Sequence, residues 1–382
     1  MNAEIEAYLK SCFFSSDDEL RFDEITGGNI NHIYRVRSKL TGKTLILKQA
    51  RREAVISREM KLEVCRGRRE AGYIKLCGSF LPGSLPELYG YNRRLRLLVM
   101  QDMSPGYEML RSALLAGRSF DFLPSFLADF VAATTVGTSD FALEPKKKKA
   151  LVKSFTNPDL CALTERLVFT EPFVGSPENS VSAENESFCR ERILSNKTLR
   201  AAAAGLKYDF MNKPQALIHG DLHFGSIFVS DSGAVVFDPE FCFFGPIGFD
   251  SGNVFAHFVM EYIYASVSGN KKLAEEMRRG AGEFISAFEE RLSAMLAEQR
   301  TDAVLCSPDF TKRFVASVIS DTAGFAGVEC LRRTVGIAKI PEFGMLCPSA
   351  RSEMERRVIE AGISLIEAYG TSAPAADVLK AL

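Results

Sequence analysis

The sequence has little of what several protein classes require. Its four histidines do not cluster with cysteines, which argues against a zinc site. The nine cysteines form no Cys-x-x-Cys pair, a distribution typical of reduced thiols in a cytosolic protein. A net charge of −1 argues against a nucleic acid or an anionic membrane as partner. We therefore expect a cytoplasmic protein that binds neither.

Long apolar runs are also missing. No segment has the roughly 18 uncharged apolar residues that a membrane span needs, and the N-terminus lacks a basic region followed by an apolar one. Hydrophobic residues nevertheless make up 46% of the 382 residues, which is ample for a core. A chain of this length predicts two domains or lobes.

The stretch 216–250 carries the densest set of polar motifs. It opens with the apolar run 216–218, which leads into His-Gly-Asp-Leu-His at 219–223. Two β-like runs follow, at 227–229 and 234–237, and the Asp-Ser-Gly sequence between them is typical of a turn. The pattern therefore predicts a hairpin directly after the polar cluster.

Acidic residues stand on both sides of this hairpin. Asp221 precedes it and Asp238 ends it, 238 − 221 = 17 residues later, so the fold can bring both carboxylates to one end. One carboxylate would align an attacking hydroxyl, while the other would hold Mg²⁺ against a triphosphate. Glu240 would face the same side if the backbone stays extended through Pro239. The alternative is that these carboxylates only solvate surface turns.

The motifs HGDLH, GSIFV, DPEF and GPIGFD occur here in this order. In this the stretch resembles the catalytic segment of methylthioribose kinases, a family of protein-kinase-like small-molecule kinases. Ser226 stands where aminoglycoside and choline kinases usually carry Asn, as it does in methylthioribose kinases. The resemblance covers nearly the whole chain. It implies a two-lobed α+β fold, with a small antiparallel-sheet lobe at 1–103 and a large, mainly helical lobe at 104–382.

Several residues of the first lobe are expected to contact ATP. Lys48 ends an apolar strand and suits the α/β-phosphates as a point charge. The resemblance places Asn31 at a nucleotide contact of the family's glycine-rich loop. The helix-like stretch 57–72 offers three possible carboxylate partners for the lysine: Glu59, Glu63 and Glu70. The resemblance points to Glu63.

The segment between the lobes and the metal motif complete the expected nucleotide site. Pro and Gly at 105–106 predict a linker at 101–106. In kinase-like folds such a linker pairs its backbone with the adenine edge, here through Gln101, Asp102 and Met103. The resemblance also assigns Mg²⁺ to Asp238 and Glu240, with Pro239 between them at the nucleotide.

The stretch 311–336 predicts a helix with charged residues on its apolar face. At about 100° per residue, Asp321 and Arg332 both fall on that face. Such charges are costly unless they are paired or belong to a site, so the pattern alone leaves a buried ion network and a binding site equally open. The resemblance assigns Arg332 to the sugar substrate and places Arg333 beside it.

The resemblance implies an enzyme that phosphorylates S-methyl-5-thioribose at its anomeric hydroxyl, using ATP and Mg²⁺, in methionine salvage. Asp221 would align and deprotonate that hydroxyl. One alternative is a kinase of the same fold that acts on another sugar, an amino alcohol or an aminoglycoside. A second is a pseudokinase that binds nucleotide without transfer. A homodimer remains open, because family members resemble dimers.

Overall fold

Alternating apolar and polar residues near the N-terminus form a five-stranded antiparallel sheet. The computed structural model describes residues 3–25, 31–50, 63 and 66–370. The strands have the spatial order β1-β2-β3-β5-β4. Their bounds are β1 Leu20–Ile25, β2 Asn31–Ser38, β3 Thr44–Ala50, β4 Leu88–Asn92 and β5 Leu97–Gln101.

The two faces of this sheet pack against different helices. Helix α1, Ala3–Cys12, buries Ile5 and Leu9 in a cluster with Leu45 and Leu47 of β3. Helix α2, Arg66–Cys77, lies between β3 and β4 in the chain and contacts β3, β4 and β5. Because side chains alternate along a strand, Lys48 points away from the face that carries Leu45 and Leu47. The lysine is thereby directed toward α2.

Two small sheets support the loop after residue 218. Strand β7, Ala216–Ile218, pairs with β10, Phe243–Gly245. Strands β6, Glu108–Met109, β8, Ile227–Val229, and β9, Ala234–Val236, form the other sheet. The predicted hairpin is confirmed, since β8 and β9 pair antiparallel with Ile227 opposite Val236.

The rest of the chain is mainly helical, as the α+β prediction requires. The earlier helices are α3 Leu110–Leu115, α4 Leu123–Thr138, α5 Pro145–Ser154, α6 Pro158–Leu167, α7 Glu171–Val174, α8 Glu186–Cys189 and α9 Lys197–Asn212. The later ones are α10 Ile247–Val267, α11 Lys271–Ala297, α12 Pro308–Val335 and α13 Pro348–Ala368. Single turns lie at Ala183–Asn185, Arg190–Leu194, Phe224–Ser226, Pro239–Phe241 and Pro341–Met345.

Helices α10, α12 and α13 approach one another closely at glycines. A Cβ added to Gly248 or Gly252 of α10 would lie within 3.0 Å of atoms of α12. A Cβ on Gly327 of α12 would lie 2.4 Å from the carbonyl oxygen of Gly362 in α13. Helix α12 is long and apolar enough to cross a membrane, yet 78% of its most apolar window is buried within the protein. The apolar face is thus used for packing.

We expect Gly327→Ala to destabilise the fold, because backbone atoms of α13 leave no room for the added methyl group. Overpacking of this kind costs about 1–3 kcal/mol in the free energy of unfolding. Gly282→Ala in α11 is the matched control, since nothing lies within 4 Å of its added Cβ. Urea denaturation should show a loss for the first variant and none for the second; equal midpoints would contradict the close contact.

Candidate active site

The loop after β7 is fixed in place by a buried aspartate of α10. Asp250 accepts hydrogen bonds from the backbone N–H groups of His219, at 2.6 Å, and Gly220, at 3.0 Å. Gly220 has φ +84°, and a Cβ there would lie 2.5 Å from the carbonyl oxygen of Phe241. Glycine is therefore required at this position. The sequence analysis assigned no role to Asp250, although it directs the loop that carries Asp221.

The same loop is bonded to the end of the β8–β9 hairpin. The ring Nε2 of His219 lies 3.0 Å from the carbonyl oxygen of Phe237, and the N–H of Phe237 donates to the carbonyl oxygen of Ser226 at 3.0 Å. The Ser226 hydroxyl is buried and bonds the loop backbone at His223. The hairpin thus ties the segment around Asp221 to the residue that precedes Asp238.

Asp221 lies among positively polarised groups. Its Oδ1 accepts from Nη2 of Arg332 at 2.9 Å and from Nη2 of Arg333 at 3.2 Å. Its Oδ2 lies 3.3 Å from Nε2 of His223. Burial raises the pKa of this carboxyl, but His223 and the two guanidinium groups outweigh burial and hold the pKa well below its usual range. Asp221 is therefore ionised at neutral pH and accepts hydrogen bonds well.

Lys48 lies among three carboxylates. Its Nζ contacts Asp238, lies 2.9 Å from Oε1 of Glu70 and lies 3.8 Å from Oε2 of Glu240. Both Lys48 and Glu70 are buried. Burial alone would lower the pKa of the lysine, but the three carboxylates raise it, so the ammonium group stays charged. The arrangement supplies a fixed positive charge beside Asp238 and Glu240.

The assignment of Glu63 as the partner of Lys48 is wrong, since Glu70 occupies that place. Helix α2 begins at Arg66, so Glu63 precedes it and is exposed. Its carboxylate accepts from Nη2 of Arg69 at 2.8 Å instead. Helical periodicity could not select among the three glutamates, because the choice depends on where the helix begins. Glu59 lies outside the described residues.

Asp238 and Glu240 reach the lysine by a turn. Asp238 has φ +67°, a left-handed conformation that is uncommon outside glycine, and residues Pro239–Phe241 form a single 3₁₀ turn. The expectation of extended backbone through Pro239 is therefore wrong. Glu240 still faces the same cluster because the turn redirects the chain. Strained backbone of this kind is often found at functional sites.

The three carboxylates provide a candidate metal site. One oxygen from each of Glu70, Asp238 and Glu240 lies within 4.8 Å of the others. All donors are carboxylate oxygens, the ligand type that suits Mg²⁺ and similar hard cations. Burial, with the neighbouring charges of Asp238 and Glu70, raises the pKa of Glu240 to about 8. A divalent cation would relieve this repulsion, so the residues fit the ion that the sequence predicts.

Side chains on both sides hold Glu240. Nδ2 of Asn31 donates to its Oε2 at 2.6 Å, and Nη2 of Arg66 donates to Oδ1 of Asn31 at 3.1 Å. From the helical lobe, Nδ2 of Asn157 donates to the carbonyl oxygen of Glu240 at 3.0 Å. The sequence analysis missed Arg66 and Asn157. The glycine-rich residues 26–30 before Asn31 lie outside the described residues.

The predicted linker follows β5 directly. The Gln101 side chain accepts from the backbone N–H of Glu87 at 3.1 Å. The Asp102 carboxylate accepts from Nε of Arg35 at 2.8 Å and from the backbone N–H of Ser104 at 3.1 Å. Met103 is buried. The side chains of Gln101 and Asp102 are thus engaged within the protein, and the backbone N–H of Gln101 donates to the carbonyl oxygen of Glu87 at 2.9 Å.

The two charged residues that the sequence placed on the apolar face of α12, Asp321 and Arg332, have different partners. Asp321 lies 3.2 Å from Nζ of Lys213, which also pairs with Asp209 at 2.7 Å. Arg332 instead contacts Asp221. The ion-network alternative therefore describes Asp321, whereas Arg332 and its neighbour Arg333 lie at the candidate site.

Comparisons with known proteins show the family and the fold. A family model described as "Phosphotransferase enzyme family" matches residues 21–282. Methylthioribose kinases from Bacillus pumilus and Bacillus velezensis are both 33% identical to the chain, covering 93% and 94% of it and 89% of each relative. The solved choline kinase from Cryptosporidium parvum has a TM-score of 0.53 at 14% identity and covers 99% of this chain and 100% of its own. The similarity to this choline kinase shows the fold alone.

We expect Glu70→Gln to weaken binding of a non-hydrolysable ATP analogue with Mg²⁺, because Lys48 loses one of its three carboxylate partners and the candidate metal site loses one carboxylate. Breaking a buried pair costs about 3–5 kcal/mol in stability, so affinity should be measured by calorimetry well below the melting temperature. Glu63→Gln is the matched control, and its affinity should equal that of the unmodified protein. A larger loss for Glu63→Gln would reverse the assignment.

Proposed function

The chain belongs to the phosphotransferase enzyme family and, within it, to the methylthioribose kinases, and on this basis we propose that it transfers the terminal phosphoryl group of ATP to the anomeric hydroxyl of S-methyl-5-thio-D-ribose. It is a small-molecule kinase. The proposed product is S-methyl-5-thio-α-D-ribose 1-phosphate. The proposed setting is methionine salvage in the cytoplasm.

The observation that supports this proposal most directly is the environment of Asp221. An ionised carboxylate on a fixed loop can accept the hydrogen bond of an incoming hydroxyl and hold its oxygen toward the phosphorus. The low pKa of Asp221 makes it a better aligning group than a base that keeps the proton. In a loose phosphoryl-transfer transition state the hydroxyl needs little prior deprotonation.

The nucleotide is assigned to the cleft between the sheet lobe and the helical lobe. Lys48, held by Glu70, would contact the α/β-phosphates, and Asn31 would lie near the phosphates. The backbone of 101–103 would face the adenine edge. Membership of the kinase family implies ATP and a divalent metal. We assign Mg²⁺ to Asp238 and Glu240, where it would offset phosphate charge.

The acceptor side favours a neutral, hydroxylated molecule. Arg332 and Arg333 present guanidinium groups beside Asp221, and such groups suit vicinal hydroxyls and a forming phosphate. A cationic amino alcohol or aminoglycoside would call for an excess of carboxylates, and Asp221 and Glu329 are already balanced by this pair. Another neutral sugar is the alternative that this charge pattern leaves open.

A panel of acceptors tests the proposal. We expect ADP formation with methylthioribose and Mg²⁺-ATP, and a phosphorus NMR signal coupled to the anomeric proton of the product. Asp221→Asn should lower kcat by about 10²–10⁴-fold, as for loss of a positioned catalytic group, while leaving ATP-analogue affinity unchanged. Transfer only to other acceptors would refute the substrate, and nucleotide binding without any transfer would indicate a pseudokinase.

The pH profile tests the electrostatics of Asp221. Because His223, Arg333 and Arg332 lower its pKa, the carboxylate should stay ionised across about pH 5–8 and contribute no acid limb to kcat/KM there. Arg333→Gln removes one of these charges, so the pKa of Asp221 rises and any acid limb moves to higher pH. Arg291→Gln, which breaks a half-exposed pair with Asp129, is the control. A limb that moves to lower pH would contradict the assignment.

A further inference from the structure

The tandem arginines of α12 converge where helix geometry would make them diverge. Consecutive residues of an α-helix point about 100° apart. Yet Nη2 of Arg332 and Nη2 of Arg333 reach the same Oδ1 of Asp221, at 2.9 Å and 3.2 Å. Both side chains are almost fully buried, so water does not hold them in this arrangement. Some other group must fix both guanidinium planes.

That group is Glu329, one turn earlier on the same helix. It precedes Arg332 by three residues and Arg333 by four, so its side chain lies between the two on the helix surface. Its Oε2 accepts from Nε of Arg332 at 2.5 Å, and its Oε1 accepts from Nε of Arg333 at 2.7 Å. Each carboxylate oxygen therefore holds one guanidinium, and both Nη2 atoms are left pointing toward Asp221.

The charges of this cluster balance. Glu329 is 1% exposed, and burial raises its pKa, but Arg332 and Arg333 outweigh burial and lower it well below the usual range. His257 lies 3.5 Å from Oε1, and burial lowers its pKa to about 3, so the ring is neutral. Two carboxylates thus face two guanidinium groups with no net charge. Such a cluster tolerates burial only while every member is present.

The remaining donors distinguish the two arginines. Nη1 of Arg333 donates to the carbonyl oxygen of Ala338 at 3.4 Å. Nη1 of Arg332 donates to no other residue of the described ranges. Every guanidinium nitrogen of Arg333 therefore donates within the protein, whereas Nη1 of Arg332 keeps its two N–H groups for a bound molecule.

We propose that Glu329 is a positioning residue for the transfer: it orients Arg333 to hold Asp221 and Arg332 to offer Nη1 to an oxygen of the acceptor. This inference rests on the proposed function for the presence of an acceptor beside Asp221. Glu329 itself touches neither reactant. Its effect is geometric, because a shift of about 1 Å in a positioned group can cost on the order of 10²-fold in rate.

Two substitutions of Glu329 separate position from charge. Glu329→Gln removes the charge and replaces one of the two accepting oxygens with a donating NH₂ group, so we expect a kcat loss of about 10²-fold and a higher acceptor KM. Glu329→Asp keeps the charge balance and the fold but shortens the side chain, so we expect a loss of about tenfold or more. Affinity for the ATP analogue should not change in either variant.

Asp321→Asn is the matched control, because Asp321 is another buried, paired carboxylate of α12, about 12 Å along the helix. We expect it to lose stability while keeping kcat and acceptor KM. Wild-type kinetics in folded Glu329→Asp, or an equal kinetic loss in Asp321→Asn, would overturn the positioning role.

The proposal can be tested even if methylthioribose is not the acceptor. In ¹⁵N-edited NMR spectra, two arginine Nε–H signals should be protected from solvent exchange, and each should disappear in Arg332→Lys or Arg333→Lys. Glu329→Asp should expose at least one of them to exchange. Protection in the wild type without transfer to methylthioribose would refute the substrate alone, whereas unprotected signals would refute the role of Glu329.

Discussion

Buried charge has to be balanced, and the balance differs between the two clusters of the candidate site. In the first cluster, three carboxylates, Glu70, Asp238 and Glu240, face Lys48 and Arg66. With all five groups charged, one negative charge would be in excess; burial and the neighbouring carboxylates raise the pKa of Glu240 to about 8, and a bound cation would relieve this repulsion. In the second cluster, Asp221 and Glu329 face two guanidinium groups and the sum is zero. The first cluster is therefore suited to binding an ion and the second to holding a fixed geometry.

Backbone contacts connect these two clusters. Asp250 holds the N–H groups of His219 and Gly220, and the His219 ring reaches the carbonyl oxygen of Phe237. Asp238 follows immediately in a left-handed conformation. Hydrogen bonds therefore tie the backbone before Asp221 to the backbone before Asp238, which restricts the relative movement of the two carboxylates. Close packing of α10 against α12 at Gly248 and Gly252 holds Asp250 in place.

The sequence predicted elements well where the signal was local. The hairpin followed from turn residues between two β-like runs, and the strand that carries Lys48 followed from its apolar neighbours. Predictions that had to choose among several residues of one type were less accurate. Glu70 rather than Glu63 contacts Lys48, because Glu70 lies within α2 and Glu63 precedes that helix. The turn at Pro239 was missed because it depends on an aspartate with positive φ, which no local pattern predicts.

Residues that act through backbone contacts were the hardest to find. Asp250 and Asn157 lie far along the chain from the carbonyl and N–H groups that they bond. Their roles depend on tertiary structure alone. Both are buried polar residues, and only their contacts distinguish them from the other buried polar residues of the fold. The resemblance placed Arg333 beside Arg332, although an angle of about 100° between consecutive helical residues suggests separate faces. The carboxylate of Glu329 between them accepts from Nε of each, and Nη2 of each reaches Asp221. In the proposed reaction this convergence lets a weakly basic Asp221 act by alignment.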